Sequence, residues 1–141
     1  MLRGMVTSVE DVMTPAVKTI ERHASVLEAT RIMEDMLLGA LVVVERSRAV
    51  GIITERDVIH RVVNACLDPK RTAVEEVMSS PLITISPDAS IEMAAQMMID
   101  RRIKKLPVLR QGRLVGIITA TDIVREVPHL REKILATFKK L

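Results

Sequence analysis

Val50-Gly51-Ile52-Ile53-Thr54 returns unchanged as Val115-Gly116-Ile117-Ile118-Thr119, and each copy is followed by an aspartate at the same distance, Asp57 and Asp122. A β-branched run closed by threonine, with aspartate three residues on, reads as a strand running into a capped helix. Extending outward at the same 65-residue offset aligns Val9–Arg61 with Val74–Glu126 without a gap, and 20 of the 53 positions are identical. That is too many for chance at one fixed offset. The chain is an internal duplication.

Each copy reads as β-α-β-β-α. Ser8 with Asp11 forms a capping-box pattern for a short helix through Met13. A strand is expected near Val17–Ile20 and again at Leu82–Ile85. Ser25 with Glu28 opens a helix whose Val26, Ala29, Met33 and Met36 keep helical spacing; Ser90 opens its twin, with Ile91, Ala94, Ala95 and Met98 inward. Strands follow at Ala40–Glu45 and Val50–Thr54, then at Lys105–Arg110 and Leu114–Thr119. Arg110-Gln111-Gly112-Arg113 is a tight hairpin with glycine at its turn, whereas Glu45-Arg46-Ser47-Arg48 has no glycine and its turn type stays open. Helices close the copies, from Glu55 to about Asn64 and from Thr121 to Glu126.

One such unit exposes an apolar sheet face. Two are therefore expected to share a core about a pseudo-twofold axis, giving an α/β (α+β) fold. The expected organisation is residues 1–66 as the first repeat with its N-terminal segment, 67–127 as the second, and 128–141 as a terminal helix. Pro128 suits the first turn of that helix, and Leu130, Ile134, Phe138 and Leu141 form one stripe, for the body or a dimer interface.

Composition narrows the function classes. Apolar residues make up 48% and charged residues 28%, which fits a globular chain. The net charge of +3, from 21 basic and 18 acidic residues, is far from a nucleic-acid stripe. A single aromatic residue, Phe138, leaves little on which single-stranded bases would stack, so nucleic acid is not the expected partner. Cys66 has no second cysteine to pair with, and no apolar run approaches membrane-span length; the expectation is a cytoplasmic protein without a membrane partner. His23, His60 and His129 lack zinc-ligand spacing, and no nucleophile elbow, phosphate loop or dinucleotide fingerprint is present.

The motifs Val12-Met13-Thr14-Pro15, Leu106-Pro107-Val108, Gly51-Ile52-Ile53-Thr54-Glu55-Arg56-Asp57 and Gly116-Ile117-Ile118-Thr119-Ala120-Thr121-Asp122 together resemble a tandem pair of cystathionine β-synthase (CBS) domains over residues 8–127. The resemblance implies a regulatory module, not an enzyme. It implies clefts between the repeats that bind AMP, ADP, ATP or an S-adenosyl compound, with no required cofactor. It also implies a homodimer that reports ligand state to a separate, unidentified protein.

Local chemistry is compatible with that role. Gly51 and Gly116 offer room for a ligand to approach. Thr54 and Thr119 stand at helix N-termini, where amides and a hydroxyl suit phosphate. Asp57 and Asp122 can each accept hydrogen bonds from ribose hydroxyls. Thr-x-x-Asp is equally a capping box, and the local pattern alone favours the cap. By resemblance, the Asp122 cleft takes Thr119, Thr121, Thr14 and Thr19, with Leu38, Gly39 and Ala40 around the base. The Asp57 cleft takes Thr54, Ser79, Thr84 and Ile103, with Arg56 for phosphate. Lys104 and Lys105 stay open between phosphate contact and a solvated helix end, the reading adopted for Arg101 and Arg102. The competing function is a ligand-independent interaction or dimerisation module.

Overall fold

A computed structural model describes residues 7–139. The elements, in order, are α1 (Val9–Val12), β1 (Thr19–Glu21), α2 (Val26–Met36), β2 (Ala40–Glu45), β3 (Arg48–Thr54) and α3 (Glu55–Val58), which continues into a π-helical turn (Ile59–Val63). Then come α4 (Val74–Val77), α5 (Ile91–Arg101), β4 (Lys105–Arg110), β5 (Arg113–Thr119), α6 (Ala120–Glu126), a 3-10 turn (Pro128–Leu130) and α7 (Arg131–Thr137). Mixed helix and strand in two copies matches the class expected from the duplication.

Compact units and sequence repeats do not coincide. One unit comprises residues 17–82; the other joins residues 7–16 to residues 83–139. Each unit thus takes its leading short helix from the opposite repeat.

In the unit of residues 17–82, β1 pairs parallel with β2, and β2 antiparallel with β3. Ser25 caps α2 by accepting the Glu28 amide at 3.1 Å. Val26, Ala29 and Met33 are buried, but Met36 at the helix end is 51% exposed, against the expected stripe. α4 packs against β3 and buries Val74 and Val77 in the same core as Ile20, Leu41, Val43 and Ile53.

In the other unit, β4 and β5 form a two-stranded antiparallel pair. The strand expected at Leu82–Ile85 shrinks to one parallel bridge, Ile85 with Val108. Proline is the reason. In the first copy the Val42 amide donates to the Lys18 carbonyl and the Arg22 amide to the Val44 carbonyl, but their counterparts Pro107 and Pro87 have no N–H to give. α1 buries Val9 and Val12 in this core, which also holds Ile91, Met98, Leu106 and Ile118. The terminal stripe is internal to this unit: Leu130, Ile134 and Phe138 are all buried, with α7 against α5 and α6. Leu141 lies outside the described residues.

Both hairpin turns place their two central residues in the left-handed region. Gln111 and Gly112 have φ of 50° and 81°, and Arg46 and Ser47 have φ of 49° and 67°. The first hairpin therefore adopts the mirror-image turn without the glycine it favours.

Candidate functional site

The two Thr-x-x-Asp turns have nearly the same geometry. β3 ends at Thr54, whose Oγ1 accepts the Asp57 amide at 3.1 Å while Asp57 Oδ2 accepts the Thr54 amide at 3.0 Å. In β5–α6 the matching distances are 3.1 Å for the Asp122 amide to Thr119 Oγ1 and 2.9 Å for the Thr119 amide to Asp122 Oδ2. Both carboxylates are buried, Asp57 7% exposed and Asp122 6%. The capping reading is thus realised in both copies, and it consumes one oxygen of each aspartate.

Most amides of these helix N-termini are engaged within the chain. Besides those of residues 54, 57, 119 and 122, the Glu55 amide donates to the Gly39 carbonyl at 3.0 Å, and the Ala120 amide to the Lys104 carbonyl at 2.8 Å.

Each second oxygen, Oδ1, faces polar groups. The Ser79 hydroxyl donates to Asp57 Oδ1 at 3.0 Å, and Arg61 Nη1 lies 3.8 Å from the same atom. Arg61 is held there by donating to the carbonyls of Val77 and Met78 at 2.9 and 3.0 Å. In the other unit Arg125 Nη2 donates to Asp122 Oδ1 at 2.9 Å. Arg125 also donates to Glu126, and the hydrogen bond to Glu126 with the charge of Asp122 raises its pKa further above the ordinary arginine value. Sequence reasoning passed over Arg61 and Arg125. The available signal was spacing, since i+4 from Asp57 and i+3 from Asp122 share a helix face.

Ser79 reaches Asp57 because backbone pairing brings it there. Its amide and carbonyl bond reciprocally with Ile52 in β3, and Thr14 bonds in the same way with Ile117 in β5. The same clamp closes the space expected over the glycines. A Cβ built at Gly51 would meet Met78 Sδ at 2.6 Å and the Ser79 carbonyl at 3.0 Å; at Gly116 it would meet Met13 Sδ at 2.5 Å and the Thr14 carbonyl at 3.0 Å. These glycines accommodate the chain's own methionines, not a ligand.

Of the residues assigned by resemblance, Thr54, Arg56, Asp57 and Ser79 lie in the unit of residues 17–82, together with Thr19, Leu38, Gly39 and Ala40. Thr14, Thr119, Thr121, Asp122, Thr84, Ile103, Lys104 and Lys105 lie in the other. Besides the two Thr-x-x-Asp caps, the Ser79 hydroxyl and Asp57 are bonded directly within a unit. Arg56 and Thr121 are exposed. Lys104 Nζ stands 5.9 Å from the Phe138 ring centroid, at the outer range of a cation–π contact. Among the described residues, no group of three or more His, Cys, Asp or Glu side chains is placed to hold a metal ion, and no helix is long and apolar enough to cross a membrane.

Comparison with known proteins places the geometry in context. The CBS domain family model matches twice, at residues 9–64 and 74–129. The CBS domain-containing protein YhcV of Bacillus subtilis is 37% identical over 117 residues, covering 83% of each chain. The chain spans about half the length of two further curated relatives, 56% and 53%. Among solved structures, a hexameric CBS-CP12 protein from bloom-forming cyanobacteria superposes with a TM-score of 0.82 at 32% identity, covering 89% of this chain and 75% of that one. A conserved CBS-domain protein of unknown function from Thermoplasma acidophilum gives 0.86 at 27% identity, covering 96% and 78%.

Proposed function

Because the chain belongs to the CBS-domain family, in which tandem pairs are regulatory modules and often bind nucleotides, we propose that it senses an adenine nucleotide and passes the ligand state to a separate protein. The ligand class is AMP, ADP, ATP or an S-adenosyl compound, and the grip is on the ribose. One observation carries the reading: both buried aspartates spend Oδ2 on the cap and present Oδ1 to exchangeable polar groups, Ser79 with Arg61 and Arg125 respectively. A ribose hydroxyl donates to Oδ1 as the Ser79 hydroxyl does, and the displaced arginine is then available to a phosphate. The module acts as a homodimer in this reading, consistent with a neighbour that is hexameric.

A ligand that binds only the folded state raises stability by about 2.7 kcal/mol at one hundred times its dissociation constant. Thermal denaturation with each adenylate is therefore the direct test. Asp57→Asn and Asp122→Asn are the informative variants, because asparagine keeps one oxygen for the cap. Each is expected to remove one site's share of the shift while lowering unliganded stability by about 1 kcal/mol or less. No shift with any adenylate at millimolar concentration overturns the proposal. It would favour the second reading, an interaction module, which the engagement of the Glu55 and Ala120 amides within the chain supports.

A further inference from the structure

The two aspartate turns match in backbone but not in what occupies Oδ1. In the unit of residues 17–82 the occupant is neutral: the Ser79 hydroxyl donates at 3.0 Å. Arg61 stands off at 3.8 Å, fixed by its bonds to the Val77 and Met78 carbonyls. In the other unit the counterpart of Ser79 is Thr14, and Asp122 Oδ1 instead accepts directly from Arg125 at 2.9 Å. The same guanidinium donates through Nε to Glu126 at 3.0 Å, so it lies between two carboxylates. At the 65-residue offset Arg125 corresponds to His60 and Glu126 to Arg61. The two arginines are therefore not copies of one residue.

This difference changes the cost of admitting a ribose. At Asp57 a ribose hydroxyl takes the place of the Ser79 hydroxyl and leaves Arg61 on its two carbonyls. At Asp122 it competes with a charge-assisted bond. The Arg125 side chain is 60% exposed, so water takes up part of what it loses, and the handicap is about fivefold at most. A phosphate on the ligand reverses the balance. The released guanidinium is a planar fork that matches phosphate oxygens, and a hydrogen bond between charged partners contributes about tenfold or more. The gain exceeds the handicap.

We infer that Arg125 is a phosphate-operated latch on Asp122: this turn selects adenine nucleotides, whereas the Asp57 turn takes the adenosyl group with or without phosphate. S-adenosyl compounds bring no phosphate to hold the latch open and are directed to the Asp57 turn. The latch rests on the ribose reading of both aspartates and adds which chemical class each one takes.

Asp57→Asn confines ligand to the Asp122 turn, and adenosine and AMP are each titrated calorimetrically into that chain with and without Arg125→Gln. Glutamine removes the latch and the phosphate contact together, so the two ligands respond with opposite sign. Adenosine binding is expected to tighten by about twofold or more, and AMP binding to weaken by about threefold or more. Arg125→Met removes the same two contacts and must give the same pair of signs. A gain or loss shared by both ligands overturns the latch, as does indifference of both. An Asp57→Asn chain that binds neither ligand, while the parent still binds AMP, overturns the latch and leaves the adenylate reading standing. If the parent chain itself binds neither, both fail.

Discussion

At the residue scale the glycines of the repeated stretch changed meaning most. Sequence shows that glycine recurs at 51 and 116, but the reason lies in another segment, where Met78 and Met13 press on the strand. Neither glycine needs a positive φ, so alanine would gain about 0.4–1 kcal/mol by restricting the unfolded chain. Against this, the new Cβ sits 3.0 Å from a backbone carbonyl that cannot swing away, besides the movable methionine sulfur. Overpacking of this kind costs about 1–3 kcal/mol, so sterics win. Gly51→Ala is expected to lose about 1–2 kcal/mol in urea denaturation. Adding Met78→Ala relieves the sulfur contact but not the carbonyl, so the loss caused by alanine at 51 should shrink without vanishing. The aspartates were legible as caps and as ligand groups at once. What could not be read was that Oδ2 takes the cap while Oδ1 turns to Ser79 and Arg61 in one copy and to Arg125 in the other.

Elements were mostly legible because hydrophobic period and turn chemistry agree locally. β2 and β4 fall at the expected residues, and α2 and α5 start at their expected serine caps. The lost second-copy strand was hidden because two prolines act together, Pro87 just past its end and Pro107 on the neighbouring strand. The first hairpin makes a sharper case. Ser47 holds φ of 67°, where a residue with a Cβ is disfavoured by roughly 1 kcal/mol or more. Ser47→Gly is therefore expected to stabilise by up to about 1 kcal/mol, seen as a raised denaturation midpoint with unchanged m-value. A second prediction at this scale concerns acid. Arg22, just after β1, donates to Glu75 on α4 and to Glu45 at the end of β2. The hydrogen bond from Arg22 holds the Glu75 carboxyl below its ordinary value of 4.5. A depressed folded-state pKa contributes stability above the unfolded value and loses it as pH falls through the folded one. Glu75→Gln should thus flatten the acid side of the stability profile below about pH 4.5, while leaving its slope near neutrality unchanged.

On the scale of the whole molecule, the duplication was plain in the sequence, yet the bodies it builds were not. Alignment at a fixed offset finds where a repeat recurs, whereas compactness depends on which core each apolar face enters. Val77 belongs to the second sequence repeat but is 2% exposed in the core of Ile20, Leu41 and Ile53. Val12 belongs to the first but is buried among Ile85, Met98 and Ile118. Backbone bonds follow the same exchange: the Val74 amide donates to the Ala24 carbonyl and the Val9 amide to the Ala89 carbonyl. Truncating either valine removes two methyls from a filled core, at a cost of about 1–3 kcal/mol. The location of that cost distinguishes exchange from a simple tandem arrangement. With exchange, Val77→Ala should first lower the hydrogen-exchange protection of β1–β3 amides, and Val12→Ala that of β4 and β5. If each valine instead weakens the strands of its own sequence repeat, the exchanged units are wrong. The same exchange means that a fragment ending at residue 66 lacks α4 and leaves the core around Ile20, Leu41 and Ile53 without Val74 and Val77.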